Sequence, residues 1–322
     1  MVSVVIATYN RSNVLAFALE SLRRQGMRDW EAWVVGDACS DDTESVVRGL
    51  GDTRIHFLNL EHNVGEQSGP NNEGARRARG RYVAYLNHDD LWFPDHLETA
   101  VHAIEQTGAD MVYTLLDQVK FGEGRWRPHR LCGVGPGLRF DPRTSVPASC
   151  WLMRRELVEE IGPWRFYREC RLVPSEDWIY RAWRAGKDIR AVPVLTVLAF
   201  PSGRRANSYA ERQDSEQRRF LAAMDNADAL RARQLSEIAV GYRMYGFQYQ
   251  RARSLLREVL VNLGYRLSMK LGRHPFHLRY LLAGVERGAR VDAMRRMRGL
   301  PRLADRGDRT DGSRPARPGT GT

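Results

Sequence analysis

"VSVVIATYNRSNVLAFALESLR", residues Val2 to Arg23, decides how the chain is read. Val2–Thr8 is an unbroken, mostly β-branched apolar run, the composition of a strand buried on both faces of a parallel sheet. Tyr9, Asn10 and Arg11 interrupt it. Ser12 then stands where a cap would open a helix carrying Leu15, Leu19 and Leu22 on one face. The same order repeats down the chain. Trp30–Val35 reads as a strand, and a helix from about Thr43 follows, with Asp41 and Glu44 at the spacing of a capping box. Ile55–Asn59 is a third strand, after which an Asn- and Gly-rich loop leads to a short helix ending near Gly80. Tyr82–Leu86 is a fourth, with Pro94 in the first turn of the helix behind it, and Asp110–Leu116 is a fifth. Strands alternating with helices imply an α/β fold: a doubly wound, mostly parallel sheet flanked by helices.

Val119–Pro147, rich in Gly and Pro, has no clear period. Ser149–Gly162 reads as strand into helix, Pro174–Gly186 as a helix capped by Ser175, and Asp188–Phe200 as a last strand region. After about Tyr209 the pattern turns helical. Leu255, Leu256, Val259, Leu260, Leu263, Leu267 and Leu271 form one apolar stripe opposed by arginines, and Pro275 ends it. The expected organisation is an α/β domain over 1–208, a helical extension over 209–300 and a disordered tail over 301–322.

The net charge of +11 is unevenly distributed. Residues 201–322 hold 25 basic against 12 acidic side chains, or +13, and residues 1–200 hold 25 against 27, or −2. A basic C-terminal third suits an anionic membrane surface or a nucleic acid. A basic helix with a Leu stripe fits either a peripheral lipid contact or packing on the catalytic domain or a second subunit. Cys39, Cys132, Cys150 and Cys170 show no metal-ligand or CxxC spacing, which suits a reducing compartment. With no basic leader and no bilayer-length apolar run, the expected location is cytoplasmic, with the inner face of the membrane as a peripheral site.

In open α/β sheets ligands bind beyond the carboxyl ends of the strands. Here those loops carry Thr8–Arg11, then "GDACSDDT" from Gly36, then Asn63, Gly65, Asn71 and Asn72, then "NHDD" from Asn87 to Asp90. Carboxylates dominate and no phosphate loop ending in GK[ST] is present, which argues against a P-loop ATPase. Acidic loops suit a divalent ion, Mn²⁺ or Mg²⁺, that in turn holds a diphosphate. Asp89 is the best-placed ligand and Asn87 its neutral partner; Asp90 is either a further ligand or the cap of the next helix.

In that order "VSVVIATYNR", "VVGDACSDDT", "YLNHDDLWFPDHL" and "SEDWIYRAWRAG" resemble the family 2 glycosyltransferases of GT-A fold, over roughly Val2 to Tyr209. The resemblance implies an inverting, metal-dependent transfer of one sugar from a nucleotide-diphosphate donor to a hydroxyl acceptor on a glycan, a lipid-linked molecule or a secondary metabolite. By position it implies that Ala7, Thr8 and Tyr9 line the base, with Tyr9 stacking, and that Asp37 binds base or ribose. Asn72 and Arg204 are also expected in the nucleotide site. Gly36 replaces an acid common in the family. Asn87 and Asp89 occupy the outer positions of the DxD motif, Asn87 being a departure. Asp177 matches the general base, with Glu176 beside it. Trp151, Trp164, Trp178 and Trp183 fall in the half that would meet an acceptor. "QRRF" at Gln217–Phe220 is a poor match to the QxxRW of processive synthases. The rival readings are a degenerate member that binds donor without transferring it and, on charge alone, a nucleic-acid-binding protein. Of the two partner classes, nucleic acid is the one not expected.

Overall fold

The computed structural model describes residues 1–119, 130–135, 137–246, 252–301 and 303. Part of the loosely patterned Val119–Pro147 segment and nearly all of the expected tail therefore lie outside the described residues. The first four strands are β1 (Val2–Thr8), β2 (Trp30–Gly36), β3 (Ile55–Asn59) and β4 (Tyr82–Tyr85). They alternate with α1 (Ser12–Arg23), α2 (Thr43–Gly49) and α3 (Ser68–Arg77). All their pairings are parallel, in the spatial order β3-β2-β1-β4. This half is the doubly wound unit that the continuous apolar runs demand.

Beyond β4 the sheet is mixed. After β5 (Leu91–Trp92) and α4 (His96–Thr107) come β6 (Met111–Gln118), β7 (Arg130–Cys132) and β8 (Trp151–Arg154). Then follow α5 (Arg155–Ile161), α6 (Pro174–Arg184) and β9 (Ile189–Ala199). β8 enters antiparallel between β4 and β6, β6 pairs parallel with β9, and the two-residue β5 pairs antiparallel with β9. The full order is β3-β2-β1-β4-β8-β6-β9-β5, with β7 on β6.

The main core fills both faces of this sheet. Val4, Val5, Ile6, Leu15, Leu19, Leu22, Val34, Tyr85, Trp92, Trp151 and Trp178 are buried in it. Trp151 lies 5.7 Å from Trp164 and 5.8 Å from Trp178, centroid to centroid. Three of the four tryptophans considered as acceptor platforms are thus interlocked core side chains. The fourth, Trp183, stacks on Tyr180. Buried indole N–H groups need acceptors, and Trp178 and Trp92 donate to the carbonyls of Gly162 and Ser149.

A second apolar cluster joins Leu195, Leu198 and Phe200 to Phe220, Leu221, Met224 and Leu230. It seats α8 (Ser215–Ala223) and the start of α9 (Ala227–Gly246) on the sheet, across the boundary expected at residue 208. The rest of the chain is α7 (Ser208–Glu211), α10 (Ala252–Lys270), α11 (Pro275–Leu282) and α12 (Ala289–Met297). The helical reading after Tyr209 therefore holds, while the Leu-bearing helix stops at Lys270, ahead of Gly272 in a left-handed conformation, and Pro275 opens α11.

Several caps differ from expectation because the side chains are used elsewhere. Ser12 is the first residue of α1, and its hydroxyl donates to Asp42 at 2.5 Å. α6 opens on Pro174 and not after Ser175, since proline's fixed φ and missing N–H suit a first helical position. Pro94 precedes α4, whose first residue is His96. Gln25 pins this approach, donating to the Phe93 carbonyl at 2.8 Å and accepting from the Leu97 N–H at 3.0 Å.

Candidate active site

The ends of β1, β2 and β4 meet at one edge. Thr8 is level with Gly36, and the chain after Tyr85 continues beside β1 until the His88 ring nitrogen Nδ1 meets the Ala7 carbonyl at 3.2 Å. Asn10, in a left-handed conformation, accepts from the Ser40 N–H at 2.8 Å and so locks the β1 loop to the β2 loop. At Gly36 a side chain has no room, because an added Cβ would stand 2.4 Å from the Asn59 amide oxygen. Asn59 fills that space and clamps Cys39 through both its N–H and its carbonyl. The missing family acid at position 36 thus has a steric counterpart in this chain.

Asp37 is buried, and its carboxylate accepts from the N–H groups of Val64 and Gly65 at 2.6 and 2.7 Å. Burial pushes its pKa up to about 6 against the pull of those bonds and of Arg295. Beside it Glu66, which the sequence reading passed over, accepts from Ser68 and is raised by burial to about 7. Asn72 exchanges two hydrogen bonds with the backbone of Trp164, at 2.9 and 2.8 Å, so its amide braces the Trp164 segment. Thr8 is buried, and its hydroxyl oxygen has no partner. The Tyr9 ring lies 6.4 Å from that of Tyr209. The backbone of Arg204 closes a short turn, Ser202–Arg204, while its side chain lies outside the described residues.

The four-residue stretch from Asn87 divides its labour. Asp90 does not cap α4, whose first residue is His96. It is buried, and its carboxyl accepts from the Ser149 hydroxyl at 2.6 Å, the Asn87 amide at 2.8 Å and the Phe200 N–H at 3.3 Å. Burial, reinforced by the charge of Asp89, raises its pKa to about 7. Asp89, also buried, lies within the field of His88, Arg298 and Arg11. Burial works to raise Asp89, yet the positive charge around it prevails and the carboxyl stays below its ordinary range. His88 is pushed by burial down to about 4, so it is neutral at physiological pH. Two residues here carried little sequence signal. Arg11 sits in the opening motif but was read only as its last letter, and Arg298 lies in an arginine-rich stretch with no motif.

The second carboxylate pair opens α6. Asp177 accepts from Arg181 Nε at 3.0 Å and from Arg165 at 3.5 Å. Arg181 in turn is fixed by the carbonyls of Ile161 and Pro163 at 2.6 Å each. Glu176 pairs with Arg290 of α12 at 2.7 Å. Because α12 reaches Glu176 through Arg290 and Asp89 through Arg298, it measures the site. Eight residues of helix separate the two arginines by ~12 Å along the axis.

The family 2 profile, "Glycosyl transferase family 2", matches residues 3–162. An uncharacterized glycosyltransferase of Bacillus subtilis, YwdF, is 32% identical over 205 residues, covering 61% of this chain and 73% of that one. An Escherichia coli protein named as a UDP-Glc:alpha-D-GlcNAc-diphosphoundecaprenol beta-1,3-glucosyltransferase, WfgD, is 29% identical over 113 residues. That match covers 35% of this chain and 44% of the relative, and the chain likewise spans less than half the length of the next two curated relatives. Among solved structures, S. aureus TarS 1–349 superposes with a TM-score of 0.53 at 18% identity, covering 92% of this chain and 90% of that one.

Asp90→Ala leaves the Ser149, Asn87 and Phe200 donors without an acceptor and is expected to cost about 2–4 kcal/mol in chemical denaturation. Asp90→Asn separates charge from bonding. A carboxyl raised to about 7 in the fold contributes stability that is present at low pH and is lost as pH rises through 7. Denaturation curves from pH 5 to 8.5 should therefore show Asp90→Asn gaining on wild type as pH rises; a constant or widening deficit contradicts this account of the hub. On the profile match, the YwdF relation and the shared fold, the chain belongs to glycosyl transferase family 2 and has a GT-A-type fold.

Proposed function

We propose that the protein is an inverting glycosyltransferase that moves one sugar from a nucleotide-diphosphate donor to a hydroxyl acceptor. The observation that carries this reading is a buried carboxylate, Asp89, within the field of Arg11 and Arg298 beyond the end of β4, with both guanidinium groups against the Tyr209 ring. A second acid, Asp177, is held ready at the start of α6. Support from relatives is of two kinds. The E. coli relative is named for a UDP-glucose donor, and TarS 1–349, 20% identical over the same fold, was crystallised with UDP-GlcNAc.

Family membership implies a divalent ion, Mn²⁺ or Mg²⁺, and the donor set here fits one held largely by the substrate. Asp89 supplies an ionised oxygen ligand, and such ions accept one or two carboxylates completed by phosphates and water. Asn87 gives its amide hydrogen to Asp90 and so has only its carbonyl oxygen to offer. Among the described residues no three acidic, histidine or cysteine side chains converge as a metal cage. When bound, the ion would offset charge developing on the departing diphosphate.

The protein's own part is proton removal and positioning. The acceptor O–H gives its proton to Asp177 as its oxygen bonds the anomeric carbon, and the bond from that carbon to the diphosphate oxygen breaks with inversion. Oδ2 of Asp177 stays anchored on Arg181, while Oδ1, in the looser 3.5 Å contact with Arg165, is the oxygen that takes the proton. The edge around Thr8, Tyr9 and Asp37 receives the nucleoside, with Asp37 acting mainly through the Val64–Gly65 backbone it holds.

A lipid-linked acceptor at a membrane surface fits the C-terminal helices. Leu260, Leu263 and Leu267 of α10, Leu271 just after it and Leu282 of α11 are more than half exposed, and Arg266, Lys270 and Arg273 lie among them in sequence. This face is an apolar stripe with basic flanks, the chemistry of a helix lying in an anionic interface. Among the described residues no helix is long and apolar enough to cross a membrane.

Two measurements test these statements. Nucleoside diphosphate release from a panel of nucleotide sugars, with a pool of lipid-linked and soluble acceptors, should fall ~10²–10⁴-fold in Asp177→Asn while donor affinity is kept. Equal turnover in the variant removes Asp177 from the role, and donor binding without any turnover by wild type favours the binding-only reading. In flotation, wild type should rise with phosphatidylglycerol vesicles and not with phosphatidylcholine, and Leu263→Asp with Leu267→Asp should abolish it. Concentration-dependent dimers that ignore both vesicles would assign the stripe to a second copy.

A further inference from the structure

We propose that Arg298, at the end of α12, is a ligand of the donor diphosphate, so that the C-terminal extension completes the site which the α/β half leaves open. This rests on the reading of the Asp89 cluster as a donor site. Neither the family match, which ends at residue 162, nor the motifs quoted from the sequence reach this arginine.

The backbone puts Arg298 there independently of its own side chain. Along α12, Arg290 pairs with Glu176, and Asp292 accepts from the Tyr167 hydroxyl at 3.1 Å. Arg295 is buried and donates to the carbonyls of Gly65 and Pro301. The carbonyls of Met297 and Arg298 accept from the N–H groups of Asn207 and Tyr209 at 2.8 and 3.3 Å. Leu303 lies against Gly65 so closely that a Cβ added there would stand 2.1 Å from its Cδ1. The segment from Arg290 to Leu303 is therefore anchored to the loops after β3 and β9 and to α6.

From this frame the Arg298 guanidinium lies 5.5 Å from the Tyr209 ring centroid, and Arg11 lies 5.0 Å from the same centroid. Arg11 is only 3% exposed. The Nε atoms of both arginines are buried with no hydrogen-bond partner, as is the Thr8 hydroxyl. Charge does not balance either: two guanidinium cations face one carboxylate, Asp89, while the neighbouring Arg205 is paired with Glu216. Guanidinium groups whose buried Nε–H bonds go unused are unfavourable. An anion with several oxygens relieves that cost, and the planar fork of arginine matches phosphate oxygens in pairs. A diphosphate, with two or three negative charges, offsets the excess and satisfies both Nε groups.

The probe is inorganic pyrophosphate, titrated calorimetrically into the full chain with and without Mn²⁺. Wild type is expected to bind it, Arg298→Gln to bind at least tenfold more weakly at an unchanged melting temperature, and the exposed neighbour variant Arg296→Gln to match wild type. Arg298→Lys, which keeps the charge and loses the fork, should fall between and serves if the glutamine variant does not fold. Unchanged pyrophosphate affinity in either Arg298 variant, or no pyrophosphate binding by wild type, overturns the proposal. Tighter binding also overturns it, because the α12 segment would then be a plug displaced by ligand. The underlying reading is separable. If UDP, GDP or dTDP binds wild type and Arg298→Gln equally, the donor site stands and the Arg298 role falls. If pyrophosphate binding depends on Arg298 but no nucleoside diphosphate binds, the anion site stands and the transferase reading falls.

Discussion

A buried carboxyl group, Asp90, fixes the edge of the sheet on which the rest depends. It gathers the end of β4 through Asn87, the turn before β8 through Ser149 and the end of β9 through Phe200. Three segments distant in sequence thereby meet at one side chain. His88 and Asp89 form a turn closed by the Asp90 N–H on the Asn87 carbonyl at 3.1 Å. Burial holds the Asp90 carboxyl near neutrality, while the arginines around Asp89 keep that carboxyl ionised.

The fold converts this local division into a site by bringing charge from far along the chain. The α/β half supplies Asp89, Arg11 and the loop braces at Asn10, Asp37 and Asn59. The antiparallel turn of the sheet at β8 brings α6, and with it Asp177, beside the same edge through the Trp164 segment and Asn72. α12 then runs from Glu176 to Asp89 as a strut. The net positive charge of the C-terminal third is in part the charge of this strut, since Arg290, Arg295 and Arg298 all turn inward.

Legibility in the sequence followed physical periodicity. β1, β2 and β4 are buried on both faces and so appear as continuous apolar runs, which is why the parallel half could be read directly. β5 is two residues long and carries no period, and an apolar run does not encode strand direction, so the antiparallel entry of β8 was not legible. Cap readings at Ser12 and Ser175 failed for a related reason: side-chain type gives the capacity to cap, while Asp42 and Pro174 decided the use. For the proposed site, the order of four motifs pointed to Asp37, Asp89 and Asp177. Arg298 had no comparable signal, because its importance comes only from where α12 is anchored. Asp90 was divided between ligand and cap; it does not cap α4, and its carboxyl is held by Ser149, Asn87 and Phe200.

In the proposed function the edge around Asp89 binds a nucleoside diphosphate, and a divalent ion would be held by its phosphates and that carboxylate. Calorimetric titration of UDP, GDP and dTDP, each with and without Mn²⁺, into wild type and Asp89→Ala tests it most directly. The account predicts that one nucleotide binds, that Mn²⁺ tightens it, and that Asp89→Ala removes the metal-dependent part. Binding of equal strength in wild type and Asp89→Ala, or no binding of any of the three under either condition, would contradict it.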